Sequence, residues 1–302
     1  MYATSDPRSV LAKQQSSGAA KPATAFAGAE YGRFYAEEPQ IADAAGKTWL
    51  TRGQNFLVAY SETAPGAVLE RRGQPDEYVL LLPERGAGAV VEANGERREV
   101  AGFSLVIVPP GDSRITLPAG GPATRIFSTA SRDLAEACAN AASYAEPHPN
   151  LPPFEPWPAP PDGFRIRAYA LDVPPQPGRF GRIFRCTTLM VNFLDPQIGP
   201  RDITKLSPHH HDDFEQGSLA LAGSYIHHLR WPWTVDLNAW REDEHAVCHA
   251  PSLTVIPPPA IHTSRGTVEG LNQLVDIFSP PRVDFSSQPG WVLNADEYPM
   301  PR

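Results

Sequence analysis

Pro208-His-His-His-Asp-Asp-Phe-Glu-Gln-Gly-Ser-Leu-Ala-Leu-Ala-Gly223 sets three consecutive histidines ahead of an apolar run, and Pro257-Pro-Pro-Ala-Ile-His262 brings a further one later in the chain. On extended backbone, side chains two residues apart point the same way. His209 and His211 can therefore aim two imidazoles into one cavity while His210 points away. Glu215 and Gln216 lie across a short turn, at the start of the next β-run, and either could add an oxygen. His262 follows the run VIPPP and can return to the same cavity. Imidazoles with one oxygen ligand suit Fe, Zn, Ni, Mn or Co, and spacing does not choose among them.

Outward from this stretch the chain is built of short β-rich runs. RIRAYALD, RIFRCTTLMVNFL, GSLALAG, SYIHHLRW, SLTVIPPP and GLNQLVDIFSPP follow one another between Pro, Gly and Asn. The first half repeats the plan with TWLTRG, NFLVAYSE, EYVLLL, GAVVEA, FSLVIV and TRIFSTA. Many short runs between turn residues predict an all-β sandwich or barrel. Val106–Gly111 (VIVPPG) and Val255–Pro259 (VIPPP) are matching landmarks about 150 residues apart, which predicts two tandem barrels. One helix is expected from Ser131 to about Tyr144, and the proline-rich 147–163 reads as a linker. The expected division is a loose N-terminal arm over 1–30, a first barrel over 31–146, a second over 164–285 and a tail over 286–302.

Composition narrows the function classes. With 302 residues and 41% apolar residues there is room for two globular domains. Pro 34 and Gly 23 favour turns over long helices. A net charge of −8 argues against nucleic acid and anionic membrane as partners. No apolar run approaches the roughly 20 residues that span a bilayer. Three scattered cysteines and a leader without an apolar core predict a cytoplasmic protein.

The first half acts as an internal control, because residues 1–147 contain no histidine. Glu70-Arg-Arg72 occupies the slot of the His pair, and Arg114 that of His262, so no imidazole site can form there. The first barrel is expected to be structural, an assembly surface or a lid for its partner, with Arg72 and Arg114 as a minor option for a small anion.

The spacing His209-x-His211-x4-Gln216-x6-Gly223 resembles the first motif of the cupins, with Gln where Glu is usual. Pro257–His262 resembles the second, with Pro259 in place of the customary glycine. The resemblance implies two cupin (jelly-roll, double-stranded β-helix) barrels, with one divalent transition metal in the second domain only. Gln216, which keeps both flanking spacings of the motif, is the expected fourth ligand rather than Glu215. The later run Asp276-Ile-Phe-Ser-Pro-Pro-Arg282 is similar to that of small cupins that open unsaturated uronic acids. That resemblance, confined to about 200–285, implies His209, His211, Gln216 and His262 on the metal, Asp276 moving a proton and Arg282 clamping a carboxylate, with Phe278 in the pocket.

Glu215 and the Trp-rich insert, with His228, Arg230, Trp231, Trp233 and Trp240, are further candidates for the pocket wall. His227 and His228 are sequential, so at most one of them can face the cavity. The expected function is Lewis-acid and acid/base chemistry on a small carboxylated, oxygen-rich substrate such as a sugar acid or keto acid. The alternatives are an Fe(II)-dependent ring-cleaving dioxygenase and a non-catalytic binding protein. A homodimer is expected from cupin habit.

Overall fold

The computed structural model describes residues 6–13 and 24–301. Apart from short helical turns the described chain is all β, in two barrels. The first pairs a seven-stranded sheet with a four-stranded one (Ala67–Gln74, Gly111–Leu117, Ala89–Ala93, Glu96–Val100). The second pairs another seven-stranded sheet, which includes Ser252–Ile256, Gln216–Ala222 and Leu271–Phe278, with the three strands Glu244–His249, Ser224–Arg230 and Ile261–Gly266. All pairings between strands are antiparallel. No helix among the described residues is long and apolar enough to cross a membrane.

The unbroken apolar runs are explained by burial on both faces of the large sheets. In Phe56–Thr63, Phe56, Val58 and Tyr60 enter a core shared by both barrels, whereas Leu57 and Ala59 enter the first barrel. Leu219, Leu253, Val255, Val275 and Ile277 meet that shared core from the second barrel. Each such side chain, fully buried, contributes roughly 1.5–3 kcal/mol of transfer free energy. Glu77, also wholly buried, ties the barrels by accepting hydrogen bonds from Thr187 N and Oγ1 (3.1 and 2.8 Å) and from Tyr298 Oη (2.7 Å).

The interior of the first barrel is occupied by its own side chains. Tyr78 and Phe127 stack at 4.7 Å, Tyr78 Oη bonds Ser113 Oγ at 2.8 Å, and Leu80, Val91 and Ile115 complete the packing. Arg114 lies outside, paired with Glu70.

Three expectations change. The predicted helix after Ser131 is α only over Arg132–Ala137, then breaks before a 3-10 turn at Ala141–Tyr144. The break follows from tertiary pairing. Ala139 N donates to Leu50 O, and the Asn140 amide bonds both Arg52 N and Arg52 O, so the backbone leaves the helix to edge a strand.

The loose arm is in part ordered. Pro7–Lys13 forms a 3-10 turn that buries Leu11, and Glu30–Gly32 is a strand; residues 1–5 and 14–23 lie outside the described residues.

Nor does the 147–163 linker divide the sheets cleanly. Glu30–Gly32 adds to the second barrel beside Leu253–Val255, and Arg167–Ala170 adds to the first beside Ser104–Ile107. Each barrel thus borrows an edge strand from sequence assigned to the other side of its boundary, which covers backbone that would otherwise lie unpaired.

Candidate metal centre

The His pair is not part of a regular strand. His209 instead makes an isolated antiparallel bridge to His262, exchanging two backbone hydrogen bonds (His209 N to His262 O, 3.1 Å; His262 N to His209 O, 2.7 Å). Directly opposed residues in such a bridge present their side chains on one face, and the two imidazoles lie 4.4 Å apart. His211, two residues on, meets both rings at 5.1 Å.

Gln216 opens the strand Gln216–Ala222, and its Oε1 lies 3.0 Å from His211 Nε2 and 3.4 Å from His262 Nε2. Gly223, at the far end of the motif, takes φ +87, and a Cβ there would come within 2.5 Å of Asn272 Oδ1. The turn after the strand therefore requires glycine.

Backbone carbonyls set the tautomers. His209 Nδ1 lies 2.9 Å from Ser207 O and His262 Nδ1 lies 2.9 Å from Ala260 O, so each Nδ1 carries the proton and each Nε2 keeps its lone pair. Candidate ligand atoms of the three histidines all fall within 4.8 Å of one another. Burial holds His209 and His211 well below the ordinary histidine range and His262 near 4, with the neighbouring cations adding to the effect. Three neutral imidazoles and an amide oxygen fit a divalent transition metal.

Asp276 reaches the cluster because its strand is in register with that of Gln216, with Ser218 opposite Asp276. Gln216 Nε2 donates to Asp276 Oδ1 at 3.1 Å, and Ser218 Oγ lies 3.4 Å from the same oxygen. Burial pushes the Asp276 carboxyl up to about 6. The cluster opens on a cavity of about 390 Å³, lined also by Arg8, Arg179, Arg201, Ser207, Tyr225 and Leu274.

The structure brings together His209, His211, Gln216, His262 and Asp276, and places the remaining expected residues elsewhere. Glu215 points to the first barrel, accepting from Gln54 N at 2.5 Å and Tyr144 Oη at 3.2 Å. Arg282 is buried but pairs with Asp284 (Nε to Oδ1, 2.9 Å) and sits 3.6 Å from the Phe285 ring, so it does not line the cavity. Phe278 packs edge-on behind His211 at 6.1 Å.

His228 faces outward to His245 (2.8 Å), because alternation turns His227 inward, to Ser264 Oγ at 2.7 Å. Arg230 pairs with Asp243 on the surface. Trp233 is 77% exposed and stacks on Trp240 at 4.5 Å, lining a separate groove, while Trp231 is buried beneath it. Arg8 and Ser218 escaped the sequence reading. The alternation from Gln216 could have found Ser218, whereas nothing local marks Arg8.

No protein-family model matches the chain, and no curated protein matches its sequence. Solved structures do resemble it. Oxalate decarboxylase from Lactobacillus farciminis superposes with a TM-score of 0.55 at 14% identity, covering 88% of each chain. The enzyme of that name from Bacillus subtilis gives 0.55 at 12%, over 91% of this chain and 80% of its own. AerE from Microcystis aeruginosa gives 0.54 at 8%, over 79% and 94%.

This chain folds as a bicupin. At these identities the likeness establishes the architecture of two tandem barrels. The three histidines lie together on the second of these barrels.

Proposed function

We infer that this bicupin is a metal-dependent enzyme acting on a small carboxylic acid, with the metal held only by the second barrel. The observation that carries this reading is the convergence of three histidine ligand atoms within 4.8 Å of one another, and of Gln216 Oε1, beside a buried carboxyl. His209, His211, Gln216 and His262 would hold the ion, which supplies Lewis acidity toward a carbonyl or hydroxyl oxygen.

The chain's own residues do the rest. Gln216 fixes the carboxyl of Asp276 through Nε2 while its Oε1 serves the cluster, so one side chain sets both positions. Asp276, neutral or charged with little cost at moderate pH, can take a proton from or return it to a bound acid at Oδ1. Leu274 and Tyr225 add apolar surface to the cavity wall. The name of the oxalate decarboxylase structures supports a small acid as substrate class, and the implied chemistry extends to sugar acids and keto acids.

Metal analysis of the purified protein, followed by a turnover screen of short carboxylic acids with that metal restored, tests the reading. Roughly one ion per chain, lost in His262→Ala together with turnover, is expected. Oxygen uptake with Fe(II) and an aromatic acid would overturn it in favour of a dioxygenase.

A further inference from the structure

At the end that corresponds to the metal centre, the first barrel carries side chains of the opposite kind. Arg71 and Ser113 oppose each other across antiparallel backbone, as His209 and His262 do. Tyr78 follows Arg71 by seven residues and opens its strand, as Gln216 follows His209 by seven and opens its own. Arg125 lies opposite Leu80, two residues beyond Tyr78, and Asp276 lies opposite Ser218, two beyond Gln216. Gly73, at φ +59, takes the place of His211, and a Cβ there would meet nothing within 4 Å. The turn from Val108 to Ser113 is one residue shorter than that from Ile256 to His262. Spacing alone therefore put Arg114 in the place of His262, whereas Arg114 turns outward to Glu70.

The matching side chains face the barrel interior. Arg125 sits opposite Ala59 and Leu80, both in the core of the first barrel, and cross-strand partners share a face. Tyr78 Oη and Ser113 Oγ are 2.8 Å apart, and the Tyr78 ring stacks on Phe127. Arg71 Cζ and Arg125 Cζ lie 5.5 and 5.8 Å from that same Phe127 ring.

Partners separate the two arginines. Arg71 donates from Nε to Gln74 Oε1 at 3.0 Å and from both Nη groups to Asp133, at 2.6 and 3.0 Å. Asp76, at the same end, is taken up by Gln74 Nε2 and Ser128 Oγ. Arg125 is 6% exposed, makes no hydrogen bond or ion pair with any described residue, and has an Nε sealed from solvent without a partner. A guanidinium carries five N–H donors and no acceptor, and a buried charge without a counter-charge is costly. Burial draws the Arg125 pKa below its usual value, an effect that a bound negative charge reverses. The two hydroxyls share one hydrogen bond, so one O–H is left to donate as well.

We propose that Arg125, with Tyr78 and Ser113, forms an anion site in the first barrel, at the place that corresponds to the metal centre of the second. Leu80, Val91 and Ile115 pack the interior beside it, so the anion is compact. The guanidinium fork pairs with a planar oxyanion through two parallel hydrogen bonds, which selects a monoanion the size of formate, nitrate or bicarbonate. The proposal stands apart from the metal-enzyme reading, since it uses none of the second barrel's residues.

The full chain is titrated with sodium formate and with sodium nitrate at constant ionic strength, followed by calorimetry and by melting temperature. Formate can also reach a metal ion, so the titration is run in excess chelator and repeated in His262→Ala. About one anion per chain should bind and raise the melting temperature, as a ligand of the folded state does. Arg125→Met should weaken both anions roughly 10- to 100-fold, the range for losing a charge-assisted pair. Without anion it should melt at or above its parent, because an uncompensated buried charge gives way to an apolar chain, whereas a mere packing role would lower the melting temperature. Ser113→Ala should weaken formate roughly 2- to 10-fold, and Arg114→Met, on the outer face, should leave it within about 2-fold.

A chain that binds neither anion overturns the proposal, as does affinity within about 2-fold of the parent in Arg125→Met. If Arg125→Met fails to fold, Ser113→Ala decides, and unchanged affinity there overturns it. Binding lost in Arg114→Met puts the anion on the outer face and overturns it too.

Discussion

Replacing Glu215 and Gln216 one at a time should separate two roles that adjacent residues hold in opposite directions. Glu215 faces the first barrel, where its carboxylate accepts from Gln54 N (2.5 Å) and Tyr144 Oη (3.2 Å) and lies 3.5 Å from His148 Nδ1. Glu215→Ala leaves the amide and the hydroxyl without their acceptor in a buried place, at about 1–3 kcal/mol each. A total of roughly 2–6 kcal/mol, at about 2–4 °C per kcal/mol for larger domains, lowers the melting temperature by roughly 4–24 °C.

Metal affinity in that variant should stay within about 3-fold, because the side chain points away from the histidines. Gln216→Ala reverses the pattern. It removes Oε1 from beside His211 and His262, and metal affinity falls by at least about 10-fold. Its stability in the metal-free state changes less than that of Glu215→Ala, since its principal partners, Ser218 and Asp276, keep each other. Thermal melts with and without chelator, together with Co(II) titration, measure both quantities. If Glu215→Ala lost the metal as severely as Gln216→Ala, the strand register argued here would be wrong.

Asp276→Asn should lower turnover of the substrate acid by at least about 100-fold while bound metal, measured by elemental analysis, stays at the wild-type ratio. Loss of metal along with activity would recast Asp276 as a structural support for Gln216. Glu77→Gln tests the inter-barrel tie through pH. Burial raises the Glu77 carboxyl above its usual 4.5 despite the donors Tyr298 and Thr187 and the nearby Arg167. The wild type therefore loses stability from this group as pH rises from about 4.5 through the raised value. In urea unfolding from pH 5 to 8 the variant should lack that part of the decline, and parallel profiles would count against it. Trp233→Ala, at an exposed stacked ring, should cost no more than about 1 kcal/mol and leave Co(II) and acid affinities at wild-type values, as read by melting and calorimetry. A clear drop in acid affinity would place the Trp groove in the site after all.

The parts of the site that were legible in the sequence rest on short-range geometry. His209 and His211 are two apart, Gln216 begins the next strand, and Asp276 sits opposite Ser218 within an apolar run. Alternation carries the His pair, the motif resemblance carries Gln216 and Asp276, and the proline run announced the return of His262. Where alternation gives two equal answers the choice went astray: His228 was named for the pocket wall, and His227 is the one that faces inward. Arg282 was misplaced for a different reason. The chain leaves the strand after Phe278 and caps the short helix Val283–Ser286, where Asp284, two residues on, captures the guanidinium. The helix after Ser131 failed because edge pairing of Ala139 and Asn140 outweighed local propensity. Arg8 was invisible because its arrival depends on Leu11 finding a pocket made by distant strands, and no local pattern encodes that encounter.

The borrowed edge strands carry a consequence for how the chain comes off the ribosome. Glu30–Gly32 emerges early, yet its partner Leu253–Val255 is made some 220 residues later. At about 5–20 residues per second, the first strand waits on the order of 10–45 s with its backbone unpaired. The amino-terminal barrel meanwhile cannot close its own edge until Arg167–Ala170 has cleared the exit tunnel. A nascent chain stopped at the proline-rich segment would hold two unmated edges at once, so that is the length at which it should recruit chaperones most strongly.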